Sequence, residues 1–125
     1  MNTIEIIKRI LLENIEVEFI YIFGSYALGN TNKESDIDIA FYSLKEYPKY
    51  DIFILAQKIS SKVKKEIDLI QMKNSSTVFQ KEIISKGKVI FEKNKNQREK
   101  FENLILKKYI KLNEERSEII NNYEV

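Results

Sequence analysis

Neither cysteine nor histidine occurs anywhere in the chain. The missing histidine excludes Ser-His-Asp and Cys-His nucleophile pairs, His-ligated zinc and an imidazole general base. The missing cysteine excludes disulfides and thiolate metal sites, in keeping with a reducing cytoplasm. Acid–base chemistry is left to Asp, Glu, Lys, Tyr or water. No apolar run reaches the roughly 18 residues of a membrane span, and the first residues lack the apolar core and small-residue cleavage site of a signal peptide. The expectation is therefore a soluble, cytoplasmic protein with no membrane partner. Excess charge of one sign is also lacking: 21 Lys and Arg face 19 Asp and Glu, a net charge of +2. Residues 1–92 carry 13 of each sign, and residues 93–125 carry 8 basic and 6 acidic, so no basic field points to direct nucleic-acid binding. Only one proline and three glycines interrupt the 125 residues, which fit one domain, 1–125.

What is present centres on the stretch from Gly24 to Tyr42, GSYALGNTNKESDIDIAFY. In its second half Asp36, Asp38, Ala40 and Tyr42 alternate with Ile37, Ile39 and Phe41. A strand points successive side chains to opposite faces, so the three apolar residues enter a core while the two acids stand together on the other face. Carboxylates held that close repel unless one keeps a proton or a cation lies between them. An oxygen-ligated divalent metal is the usual resolution, and Mg²⁺ typically takes one or two carboxylates plus substrate phosphates.

The flanking chain alternates helix and strand. Ile4, Ile7, Ile10 and Leu11 predict a helix over 2–14 with Asn2 or Thr3 as N-cap, Ile6 and Leu12 lying off its stripe. A strand over 16–23 follows, with Val17, Phe19, Tyr21 and Phe23 on one face and Ile20 and Ile22 on the other. Apolar residues on both faces mark a central strand. It stops at Gly24-Ser25, where a short helix through Tyr26, Ala27 and Leu28 begins, and 29–35 is a polar turn segment.

After the acidic strand 36–42, Pro48 precedes a helix over about 50–64 with Ile52, Leu55, Ala56, Ile59 and Val63 buried. A third strand, 66–71, turns Ile67 and Leu69 one way and Glu66, Asp68 and Ile70 the other. A helix over 75–86, opened by Ser75 or Ser76 and closed by Gly87, leads to an edge strand at 88–91. From about 96 to 123 runs one long helix, with Phe101, Leu104, Ile105, Tyr109, Leu112, Ile119, Ile120 and Tyr123 as a seam. Leu106 and Ile110 form a second apolar patch, whose ordinary reading is packing on the sheet. The fold class is α+β, a small mixed β-sheet packed against helices with a long C-terminal helix.

Three features carry chemistry together that none carries alone. Gly24-Ser25 at a strand-to-helix junction is by itself an ordinary turn and cap, although glycine permits close backbone approach and opening amides favour an anion. Asp36-x-Asp38 is by itself a solvated strand face, and Asp68 an exposed charge on an edge strand. In combination they make an anion seat, two acids on one face and a third acid on a later strand. Such a trio suits two Mg²⁺ ions, one clamping leaving phosphates and one activating an incoming hydroxyl.

GS, ten residues and then DxD (Gly24, Ser25, Asp36, Asp38), with Asp68 following, resembles the signature of the DNA polymerase beta-like nucleotidyltransferases. The length is similar to that of the minimal members. The stretch from Phe101 through Tyr109 to Leu112 resembles the closing helix of the MntA-type antitoxin subgroup, partnered with HEPN-domain toxins. That resemblance implies a nucleotidyltransferase fold and transfer of AMP from ATP to a tyrosine hydroxyl of a HEPN-domain ribonuclease toxin, with which the chain forms a hetero-oligomer. It implies that Asp36, Asp38 and Asp68 are catalytic and hold Mg²⁺ (two ions), Asp68 lying on the acceptor side, where it can take the hydroxyl proton. Gly24 and Ser25 then bind the β- and γ-phosphates, with Ser35 beside them. Catalysis of this kind is positioning and charge neutralisation. One departure stands out: Leu28 occupies a position where many relatives carry a basic residue, and Lys33 is the nearby candidate to replace it. Two other roles fit the same residues, an antitoxin that neutralises by binding alone and a small-molecule (antibiotic) nucleotidyltransferase. The second is disfavoured because no residues remain for an acceptor-gripping helical domain.

Overall fold

The computed structural model describes residues 1–29 and 36–123. Four strands form one sheet in the order β3-β2-β1-β4, with α1 (Thr3–Asn14), α2 (Gly24–Ala27), α3 (Lys49–Val63), α4 (Thr77–Lys86) and α5 (Lys95–Tyr123) around it. β1 (Phe19–Phe23) and β2 (Ile37–Tyr42) are central and antiparallel, and β4 (Lys88–Glu92) pairs antiparallel with β1 at one edge. β3 (Ile67–Gln71) lies parallel to β2 at the other edge, reached through α3. This is the expected mixed sheet.

Period-two patterning divides the core into two layers. Ile20, Ile22, Ile37, Ile39, Phe41 and Leu69 leave one face of the sheet and meet Ile7 and Leu11 of α1 and Ile52, Leu55 and Ile59 of α3. Phe19, Tyr21 and Ala40 leave the other face and pack with Met72, Ile83 and Phe101. Val17 departs from its expected side: it is buried in the first layer with Ile20 and Ile22. β1 begins only at Phe19, so Val17 precedes the strand and escapes its alternation.

Helix ends follow their caps. The Asn2 side chain accepts from the Glu5 amide at 2.8 Å, and Ser76 accepts from the Phe79 amide at 3.1 Å. α4 is preceded by a single 3-10 turn, Met72–Asn74, too short to leave a periodic trace in the sequence. Gly87 ends α4 in extended backbone rather than a left-handed cap; a Cβ there would press on the Ile83 carbonyl oxygen.

α5 divides into a docked part and an overhang. Phe101 packs against Phe19 and Tyr42, with ring centroids 5.2 and 4.7 Å away, and Ile105 is buried. Tyr21 Oη donates to Glu102 Oε1 at 2.6 Å, Arg98 Nη1 donates to the same oxygen at 2.6 Å, and Arg98 Nε donates to Glu92. Burial and the Glu102 carboxylate push the Tyr21 hydroxyl well above its ordinary range, so it stays a donor. Lys81 of α4 lies over the Tyr109 ring, 4.9 Å from its centroid. The seam expected to run on through the helix does not stay covered: Leu104, Ile119 and Ile120 are exposed, as are Leu106 and Ile110, which therefore do not pack on the sheet. The sheet is shorter than the 29-residue helix, so its far turns have no layer beneath them. The side chain of Tyr123 lies outside the described ones.

Candidate active site

The acidic face is built by β2 and β3. Asp38 pairs in register with Asp68 across the parallel ladder, and Asp36 immediately precedes β2. Ile37 and Ile39, the neighbours of Asp38, are fully buried in the opposite layer and lock its direction. Asp36 and Asp68 are exposed, while Asp38 is half-buried between them. The Asp38 carboxyl is pushed above its ordinary value, first by burial and then by the negative charges of Asp68 and Asp36. All three acids therefore act on one locality.

Gly24 approaches that locality from β1. Its φ of +73° lies in the left-handed region, where a side chain is strained. A methyl group built on it would overlap Asp38 Oδ2. Glycine is required here twice over, for the turn into α2 and for the room Asp38 occupies. Ser25 is exposed in the first turn of α2, and the Leu28 amide bonds back to its carbonyl at 3.1 Å. Leu28 is 79% exposed and brings no charge to the neighbourhood. Ser35 and Lys33 lie outside the described residues.

Among the described residues, no three acidic side chains converge closely enough to form a ready-made metal cage. The donor chemistry nonetheless suits Mg²⁺, which keeps several waters and is completed by substrate phosphates rather than by an all-protein cage.

One feature escaped the sequence. A cavity of about 380 Å³ lies between α3 and the outer edge of β3, bordered by Lys49, Phe53, Gln57, Asp68 and Asn74. Only the spacing of 49, 53 and 57, one stripe at successive helical turns, signals it in the sequence.

The chain belongs to the polymerase beta nucleotidyltransferase family, whose model matches residues 5–96. It is similar to protein adenylyltransferase MntA of Shewanella oneidensis, 35% identical over 92 residues that cover 73% of this chain and 66% of that protein. A putative protein adenylyltransferase of Methanocaldococcus jannaschii is 43% identical over 70 residues, 54% of this chain and 78% of that one. Among solved structures, a toxin-antitoxin with AMP-PNP matches at a TM-score of 0.87 and 30% identity over 100% of both chains. The tri-AMPylated Shewanella oneidensis HEPN toxin in complex with MNT antitoxin matches at 0.81 and 28% identity, covering 98% of this chain and 97% of that one. Among the described residues no helix is long and apolar enough to cross a membrane.

Proposed function

We propose that this chain, as one minimal nucleotidyltransferase domain, is a Mg²⁺-dependent protein adenylyltransferase and the antitoxin of a toxin–antitoxin pair. It moves AMP from ATP to a tyrosine hydroxyl of a HEPN-domain toxin, in the cytoplasm where ATP is available. The observation that carries this reading is the in-register pairing of Asp38 with Asp68, with Gly24 shaped to leave Asp38 its space. The likeness to MntA, and to chains solved with AMP-PNP and beside an AMPylated HEPN toxin, supports the nucleotide and the partner.

Asp36, Asp38 and Asp68 are the residues that would hold Mg²⁺. When bound, the metal neutralises the phosphates and lowers the pKa of the acceptor hydroxyl. The tyrosine oxygen attacks the α-phosphorus and forms the new phosphoester bond. The bond from that phosphorus to the bridging oxygen of the β-phosphate breaks, and pyrophosphate leaves. The hydroxyl proton passes to Asp68, which sits on the outer strand. Gly24 and Ser25 seat the β- and γ-phosphates at the opening of α2, and Ser35, outside the described residues, is assigned to the same phosphates. Asp38, the half-buried member, orients the reacting phosphate.

The test is incubation of the protein with α-labelled ATP, Mg²⁺ and a HEPN-domain toxin. Label should move to that protein and be lost with Asp36→Asn or Asp38→Asn. Neutralisation that survives both substitutions without label would support binding alone instead. The exposed Leu106, Ile110, Ile119 and Ile120 of α5 are the observation favouring that second reading, since apolar patches mark contacts.

A further inference from the structure

We infer that the groove between α3 and the free edge of β3 is the acceptor subsite, and that it takes an extended segment of the acceptor protein beside the hydroxyl to be modified. The inference rests on the nucleotidyl-transfer reading above and names where its second substrate lies.

β3 hydrogen-bonds to β2 on one side and, as the last strand of the sheet, pairs with no further strand among the described residues. Gln71 closes one end of that edge. Its side chain accepts from the Tyr47 amide and donates to the Tyr47 carbonyl, both at 2.9 Å, as a neighbouring strand would. From there back to Ile67 the edge borders the cavity of about 380 Å³. Ile52, Ala56 and Leu69 form an apolar floor, and Lys49, Phe53 and Gln57 stand one helical turn apart along the wall.

Two observations decide what fits. Asp68 borders this cavity at the β3 edge while its side chain alternates with Ile67 and Leu69 onto the face it shares with Asp38, so an occupant of the groove has to bend round that edge to bring a hydroxyl to the carboxylate assigned to its proton. The lining carries one cation, Lys49, and one acid, Asp68. A nucleic-acid acceptor would find too little positive charge, and a polycationic small molecule too little negative. Phe53 is an aromatic ring left 58% exposed inside a concave wall. An exposed strand edge, an apolar floor and an aromatic anchor are the elements by which extended peptides are held. A tyrosine hydroxyl reaching Asp68 leaves its flanking residues along Phe53 and Gln57.

The test compares initial rates of label transfer to the HEPN-domain protein for wild type, Phe53→Ala and Gln57→Ala, varying acceptor and ATP separately. Phe53 and Gln57 are exposed, so both variants keep the core. Tyr50→Ala, on the adjoining face of α3, serves as control. The expected result is an acceptor KM raised roughly tenfold by Phe53→Ala, the scale for losing an aromatic anchor. The Gln57→Ala effect is smaller, with ATP KM unchanged in both and Tyr50→Ala at wild-type values. Label transfer with unchanged acceptor KM in both groove variants overturns the groove while leaving the enzyme reading intact. A rise in ATP KM instead would assign the cavity to the nucleotide. A wild-type protein that labels nothing overturns both readings together.

Discussion

The two faces of β2 differ by one residue of offset and serve opposite ends. Ile37, Ile39 and Phe41 sink into the layer under α1 and α3 and are essentially inaccessible to water. Asp36 and Asp38, on the alternate positions, are held beside Asp68 at a mutual electrostatic cost. The comparison teaches that the apolar face supplies the stability against which the acidic face is strained. Substitutions on the two faces should consequently part company, one costing stability and the other activity.

The largest expected effect is on the apolar face. Ile39→Ala should lower unfolding stability by about 2–5 kcal/mol, the range for emptying a packed core site, measured by denaturant titration. Asp38→Asn should do the reverse. Transfer should fall on the order of 10²–10³-fold, as for other losses of a transition-state charge contact, while the metal-free protein becomes more stable at pH 7. The sign follows from the raised Asp38 carboxyl. Its favourable protonated form is fully present below the ordinary value of 3.8 and is lost as pH rises through the raised one. Asparagine has no such proton to lose, so its advantage in melting temperature should vanish as pH falls below that ordinary value. Equal melting temperatures for the two proteins at pH 7 without metal would break the comparison.

Gly24→Ala sharpens it, because that residue touches both properties. The left-handed turn should cost about 1–2 kcal/mol, and displacement of Asp38 should cut transfer more than the stability loss accounts for. A variant that loses stability but keeps full kcat would separate Gly24 from the acids. The smallest effect is expected far from β2. Tyr21→Phe removes one hydrogen bond to Glu102, and about 1 kcal/mol should be lost with transfer rates unchanged, since Arg98 still holds the carboxylate.

The sequence made the strands legible wherever alternation ran unbroken, as in Ile37–Tyr42, and the helices wherever a stripe and a cap coincided, as in Thr3–Asn14. Val17 was not legible, because nothing local marks where alternation begins. The seam of α5 was legible as a helix but not as a surface. A helical period says which residues share a side, not whether a layer exists to cover Ile119 and Ile120. Of the candidate site, Asp36, Asp38 and Asp68 were legible as acids sharing a face, whereas Gly24 was legible only as a turn residue: its left-handed backbone and the room it leaves Asp38 depend on a strand that the sequence brings alongside it from 14 positions away. The Tyr21–Glu102 bond joins positions 81 apart, and no local pattern announces it. The groove wall was hidden for a different reason: Lys49, Phe53 and Gln57 look like the wet side of an amphipathic helix until β3 is placed beside them.

The parallel ladder between β2 and β3 has a practical corollary. A slip of β3 by one position would turn Asp68 inward and Leu69 outward, exchanging an acid for an aliphatic beside Asp38 at the proposed reaction centre. On the proposed mechanism no gradual loss of competence accompanies such an error: a molecule zipped one notch off lacks the third carboxylate altogether. Specific activity would then report strand registration as well as chemistry.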